Sequence, residues 1–405
     1  MDRARTVLDA LLRAGRADPA AFAPSFLKEI SAARVDAILT QVTAALGSFD
    51  RIDGTHGTYL AHYPRGTDLI TVTMDERDRI TGLIFAPPVI AGRPGAALSP
   101  GVSVVIDTCF GGRRVFRVRG ERVDADAPFE IGSITKTFTA TLLAQMVQAG
   151  DLEADDPIST FLPHDARTPT YDGRPITLEQ LATQSSGLPR LPTDLPVLPT
   201  DPYATYDDAK LMAFLATYTL PRAPGATYEY SNLGYGLLGD LLARKLNVSY
   251  SSALRSRVLE PLELRSTTLE TAARRSVIVG HAADGTIAPN WTFDALAGAG
   301  ALVSTPNDLM RFALANLYLS ETPLGAAMNL AQEPRRAAMG SDRIGFAWMT
   351  APSGIVWHNG GTGGYRSFVG IWPGRGRAVV ILANSIAVDV EAIGFTTLAS
   401  DDPEP

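Results

Sequence analysis

The chain has 405 residues, 45% of them hydrophobic and 20% charged, which leaves room for more than one unit of about 100–200 residues with a sizeable core. A formal charge of −7, with no Lys/Arg stripe interleaved with aromatics, argues against nucleic acid as a partner, and no apolar run approaches the roughly 20 residues of a membrane span. Cys109 stands alone, so an intramolecular disulfide is excluded, and with His and Asp residues scattered no metal or other cofactor is expected.

Met1–Ala20 carries Arg3 and Arg5 but lacks the apolar stretch of a secretory leader. Two readings follow: a cytoplasmic protein, or a mature form whose leader has been replaced by Met1. In Ala33–Leu46 the residues Val35, Ile38, Leu39, Val42 and Leu46 recur at helical spacing, and Gly47 stops the helix. Thr58–Tyr63, Leu69–Met74 and Ile80–Phe85 have strand character and predict an antiparallel meander. Ala86–Pro100, with four prolines and two glycines, reads as a linker. The expected division is therefore a small α+β domain over 1–88, a linker over 89–100 and a larger domain over 101–405.

Beyond the linker, Val102–Asp107 and Arg114–Arg119 form a predicted hairpin around Gly111-Gly112, and Ser133–Ala149 a helix closed by Gly150. Roughly Pro169–Asn290 is mostly helical and holds the Pro-rich loop Leu188–Pro202. Ile355–Trp357, Ser367–Trp372 and Ala378–Ala383 are predicted strands, the last two joined by a Pro373–Gly376 turn. One antiparallel sheet built from both ends of this region, flanked by helices and carrying a helical subdomain, is the simplest α+β architecture.

Three short patterns carry chemistry. In Ser133-Ile134-Thr135-Lys136 a hydroxyl and an ammonium three residues apart share a helix face, so the amine can activate the serine. Ser-x-x-Lys is a weak pattern, and Ser25–Lys28 holds a second copy that reads as a solvent-facing helix turn. Lysine is scarce, four against 32 arginines, and Lys136 lies among Phe129, Ile131, Phe138 and Leu142, where an unpartnered ammonium is costly. Tyr230-Ser231-Asn232 follows Pro224-Gly225 and precedes the apolar helix Leu233–Leu242; its phenol can relay a proton and its amide can bind a carbonyl. His358-Asn359-Gly360-Gly361 lies where a strand is expected to give way to a glycine-rich turn, against which an acyl group can lie in β-like pairing and find an oxyanion donor. His56, His62, His164 and His281 are expected in ordinary turn or surface roles.

The order Ser-x-x-Lys, Tyr-x-Asn, His-x-Gly resembles the serine β-lactamase and penicillin-binding-protein superfamily on its class C β-lactamase and D-alanyl-D-alanine carboxypeptidase side. Phe129–Thr139 is similar to that family's nucleophile segment, Leu181–Pro189 (LATQSSGLP) to its usual LLTHTSGLP, and Trp357–Ser367 (WHNGGTGGYRS) to its third-motif strand. The resemblance covers roughly Pro100–Leu398. Two departures stand out: Gln184 replaces a common histidine, and His358 stands where β-lactamases usually carry lysine.

The resemblance implies Ser133 as nucleophile, Lys136 and Tyr230 sharing the proton traffic, and the Ser133 and Gly361 N–H groups as the oxyanion hole. Asn232 would orient the acyl amide. His358, if charged, would hold Tyr230 acidic or attract a substrate carboxylate, and Arg366 would be a second carboxylate binder; a charged His358 would make selection of anionic substrates fall as pH rises through neutrality. The implied activity is that of a serine hydrolase acting through an acyl-enzyme on D-Ala-D-Ala peptides, β-lactams or small esters. The alternatives are a penicillin-binding sensor with little turnover and a carboxylesterase. The family also implies a periplasmic or secreted location, with cytoplasmic as the alternative, and leaves the oligomeric state open. The small N-terminal unit resembles cystatin-like or steroid-isomerase-like accessory domains.

Overall fold

The structure is a computed structural model that describes residues 3–55, 58–64, 66–75, 77–85, 89–90, 98–195, 201–269 and 276–401. His56, most of Ala86–Pro100, residues 196–200 of the Pro-rich loop and the side chains of Ser25 and Lys28 lie outside the described residues. The chain divides into two compact units, Met1–Ala96 with Ala387–Asp389, and Ala97–Ile386 with Val390–Pro405.

In the first unit, helices Arg3–Ala14, Pro24–Glu29 and Ala32–Leu46 precede a meander of Arg51–Thr55, Thr58–Tyr63, Gly66–Met74 and Ile80–Phe85. Ser31 caps the third helix by accepting the Arg34 N–H, and Gly47 ends it at φ +95°, a conformation that favours glycine. Val89–Ile90 pairs with Gly66–Thr67, so the sheet runs past residue 89, where the linker was expected to begin. Two β-branched residues just after Pro87-Pro88 suffice to continue the sheet. His62 is also in a strand, with Nε2 2.8 Å from the Asp53 carboxylate.

One residue of this unit conflicts with its surroundings. Ala61 pairs with Asp68, so strand alternation puts Asp68 on the buried face with Tyr59, Tyr63, Ile70 and Val72. Asp68 is 0% exposed, and neither carboxylate oxygen has a hydrogen-bond partner among the described residues. Burial raises its pKa from 3.8 to about 7. The folded state therefore holds the proton more tightly than the unfolded state, and stability falls as pH rises from about 4 to about 7, at about 1.4 kcal/mol per unit where the two states differ by one proton. Asp68→Asn is expected to leave stability at pH 4 nearly unchanged and to raise it at pH 8 by a few kcal/mol (order of magnitude). Denaturant melts of the unit at the two pH values check this; equal shifts at both would refute it.

In the second unit, eight antiparallel strands run in the spatial order Arg336–Ala337, Arg343–Ile344, Met349–Thr350, Val356–Gly361, Arg366–Trp372, Arg377–Ala383, Ser103–Phe110, Arg113–Gly120. The two ends of the region meet where Arg377–Ala383 pairs with Val104–Phe110. Val369 and Ile371 join the main core with Phe138 and Phe312, whereas Phe368 turns to the other face and meets Phe395, ring centroids 5.4 Å apart.

Helix Thr135–Gln148 is buried nearly all round. Its threonines satisfy their own hydroxyls, Thr137 on Ile134 O, Thr139 on Thr135 O and Thr141 on Thr137 O, so the polar residues cost little inside. The region 169–290 is less uniformly helical than its sequence suggests. Helices Leu178–Ala182, Asp208–Thr217, Asn232–Leu246 and Tyr250–Leu254 are flanked by two-stranded ribbons at 170–175 and 280–288. His281 lies in one of these ribbons and is buried, Nδ1 3.1 Å from Asn384 O, which corrects its expected surface role. Among the described residues no helix is long and apolar enough to cross a membrane.

Candidate active site

Four segments distant in sequence converge on Ser133. A short 3-10 turn, Gly132–Ile134, presents it at the entrance to the buried helix, so Ser133 is part-exposed while Lys136, one turn on, is 0% exposed. Lys136 Nζ lies 3.0 Å from Ser133 Oγ, 2.8 Å from Asn232 Oδ1 and 2.7 Å from Ala299 O. The Ala299 carbonyl reaches so deep because Gly236 and Gly239 let residues 296–300 lie on helix Asn232–Leu246: a Cβ on Gly239 would sit 3.0 Å from Gly298 Cα.

Tyr230 Oη donates to Ser133 Oγ at 2.6 Å. The Tyr230 turn is held from behind by the LATQSSGLPR segment. Gln184, at φ +55°, accepts the Ser231 N–H on Oε1 at 2.7 Å, and the Arg190 carbonyl accepts the Asn232 N–H at 2.9 Å. The glutamine thus performs a backbone-anchoring task that its departure from the family's histidine did not disclose. Asn232 is the first residue of its helix, capped by Ser231, and its Nδ2 donates to Tyr203 Oη at 2.9 Å. Its carboxamide is therefore largely engaged with Lys136 and Tyr203, and one N–H remains for an acyl carbonyl.

Burial pushes Lys136 well below its ordinary value, and the nearby Arg190 charge pushes the same way. Burial pushes Tyr230 up to about 12, against the opposing effects of its bond to Ser133 and of Arg190. Tyr230 is thus a neutral phenol near pH 7, and Lys136 is the group biased toward a free amine.

The third motif differs from its expected form. His358–Gly361 is not a turn: all four residues stay in the strand, His358 opposite Val369 and Gly361 opposite Arg366. The glycines are needed for close approach of backbone. A Cβ on Gly360 would lie 2.1 Å from Ile131 O, and one on Gly132, at φ +48°, 2.6 Å from Gly361 N. The neighbouring strand Met349–Thr350 pairs only with Val356 and Trp357, so no strand among the described residues covers that edge of His358–Gly361.

His358 is buried and its pKa falls to about 3, chiefly through burial and then through repulsion by Lys136. It is neutral throughout the working range, so the cationic role expected of it does not follow. Parallel pH profiles between pH 5 and 8 for anionic and neutral substrates are the expected result; a selective loss of the anionic one near pH 6.5 would restore the charged histidine.

Arg366 also departs from expectation. It shares the sheet face of Phe368, away from His358, and crosses Gly361, where a Cβ would meet Nη1. That Nη1 donates to Thr362 O and Tyr365 O, closing the intervening turn. Alternation along the strand, which residue type does not reveal, makes it a clamp of this turn instead of a substrate contact. Among the described residues no cluster of three or more His, Cys, Asp or Glu could hold a metal ion.

A family model described as Beta-lactamase matches residues 88–392. The chain belongs to the β-lactamase family. As a β-lactamase-family protein it is a serine hydrolase, similar to the D-alanyl-D-alanine-carboxypeptidase/endopeptidase AmpH of Escherichia coli strain K12 at 32% identity over 70% of this chain and 77% of that protein. It is 29% identical to penicillin-binding protein 4 of Amycolatopsis lactamdurans over 72% of this chain and 81% of that one. The fold is shared with a β-lactamase/D-alanine carboxypeptidase from Yersinia pestis, TM-score 0.66 at 23% identity, covering 73% of this chain and 92% of that one. The β-lactamase match leaves residues 1–87 outside.

Proposed function

We propose that this chain hydrolyses D-Ala-D-Ala-type peptides or β-lactams through an acyl-enzyme on Ser133, with Lys136 as general base and Tyr230 as general acid. The observation that carries the reading is the position of Ser133 Oγ, 3.0 Å from a fully buried amine and 2.6 Å from a neutral phenol. The other two partners of Lys136, Asn232 Oδ1 and Ala299 O, only accept. A neutral amine gives its two N–H groups to them and keeps its lone pair for the Ser133 O–H. Lys136 takes that proton as Oγ attacks the carbonyl carbon. The oxyanion develops against the Ser133 and Gly361 backbone N–H groups. As the scissile bond breaks, Tyr230 protonates the leaving atom, and the proton held on Lys136 replaces it. In deacylation water follows the same route. The open edge of His358–Gly361 gives an extended acyl chain a strand to pair with, and Asn232 Nδ2 a carbonyl to bind. These substrates place the enzyme's work outside the cytoplasm.

Intact-protein mass spectrometry after benzylpenicillin, p-nitrophenyl acetate and a D-Ala-D-Ala peptide tests this. The expected result is an adduct that maps to Ser133 and disappears with turnover. A penicillin adduct that persists indefinitely would replace the hydrolase with a sensor, and turnover confined to the acetate would replace it with an esterase.

A further inference from the structure

With His358 neutral and Arg366 on the far sheet face, an exposed fixed charge beside the site comes from another segment. Arg190 is exposed, and its guanidinium carbon lies 4.9 Å from the centroid of the Tyr230 ring. Lys136 Nζ lies 4.8 Å from the same centroid but is buried, so of these two cations only Arg190 faces solvent. No carboxylate pairs with Arg190 among the described residues, whereas Arg222, Arg335 and Arg336 nearby in the same unit each hold a glutamate. Its backbone is fixed by the helix it caps, Arg190 O accepting the N–H groups of Asn232 and Leu233. A guanidinium with no carboxylate partner among the described residues thus lies beside the phenol that, in the mechanism above, protonates the leaving atom.

We propose that Arg190 recognises a carboxylate on the leaving-group side of the substrate. The inference rests on the proposed roles of Ser133 and Tyr230. A leaving atom that reaches Tyr230 Oη brings a carboxylate a few bonds away within range of the guanidinium, whose planar fork suits a bidentate partner. The chemical class selected is an ester or amide whose departing half is anionic, such as a peptide ending in a free carboxylate.

The test compares the phenyl and 3-carboxyphenyl esters of N-benzoylglycine, which share an acyl group and differ in leaving-group charge. In Arg190→Gln the ratio of kcat/KM for the carboxylated over the neutral ester is expected to fall about 10- to 100-fold, the range of a lost charge-assisted bond. Arg190→Lys should keep part of the preference, and Arg190→Glu should lower the ratio below that of the Gln variant. A ratio unchanged in both Arg190→Gln and Arg190→Glu, or equal losses on the two esters, would overturn the assignment while leaving the hydrolase intact. Turnover of both esters by Ser133→Ala would instead remove the hydrolase reading, and the assignment with it.

Discussion

Ser133→Ala is expected to abolish hydrolysis of every substrate, lowering kcat on the order of 10⁶-fold, the scale seen when a nucleophile works as part of a coupled unit. The reason is geometric: Ser133 Oγ is the one atom that both Lys136 Nζ and Tyr230 Oη address, at 3.0 and 2.6 Å. Without it neither proton-handling group has a substrate-linked atom to act on. The fold should persist, because Lys136 keeps Asn232 Oδ1 and Ala299 O as partners. Steady-state rates with a β-lactam and an ester, together with intact mass, measure the effect. Full turnover in the variant, or an acyl group mapped to Ser25, would refute the assignment.

Lys136→Met should cost about 10³- to 10⁴-fold in kcat/KM, near the upper range for a positioned general base. Methionine fills a similar volume in a pocket with no solvent access, and it removes an amine that burial disfavours in its charged form. Against that, Asn232 Oδ1 and Ala299 O lose a donor, a penalty of about 1–3 kcal/mol for a buried acceptor. Circular dichroism should therefore show a folded protein, somewhat less stable. The pH profile separates base from scaffold. In the wild type kcat/KM falls as pH drops through the lowered pKa of Lys136 and the amine takes up its proton; in the variant that acid limb should be gone. A variant of undiminished activity, or one that retains the same limb, would transfer the base role elsewhere.

How much of this was legible beforehand depended on whether the information was local. Strands Thr58–Tyr63 and Ile80–Phe85, the hairpin around Gly111-Gly112 and the helix after Ser133 follow from alternation, turn residues and helical spacing within about ten positions. The candidates Ser133, Lys136, Tyr230 and Asn232 are legible from order and spacing, because i, i+3 on a helix and a capped turn are local geometries. Helix Arg3–Ala14 buries Leu8, Leu11 and Leu12 at helical spacing, although in sequence its stretch stands out only by lacking the apolar run of a leader. The first strand, Arg51–Thr55, reads RIDGT and has no apolar alternation to detect.

The sequence by itself determined which residues are candidates for the chemistry and in what order they occur. Only the tertiary structure decided their charge states and directions. His358 and Lys136 lose their protons more easily chiefly because each is buried, with repulsion from Lys136 acting on His358 and from Arg190 on Lys136, a property of packing that no spacing encodes. Arg366 is set on the other sheet face by a strand that continues through Gly361 instead of turning, and that strand lies close against Ile131 and Gly132, more than 200 residues away in the chain. Arg190 carries no mark in its residue type; its place beside Tyr230 arises because its carbonyl caps a helix that begins 42 residues later. Residue type and local periodicity specify elements, whereas desolvation and the fields of neighbouring charges depend on which distant segments pack together.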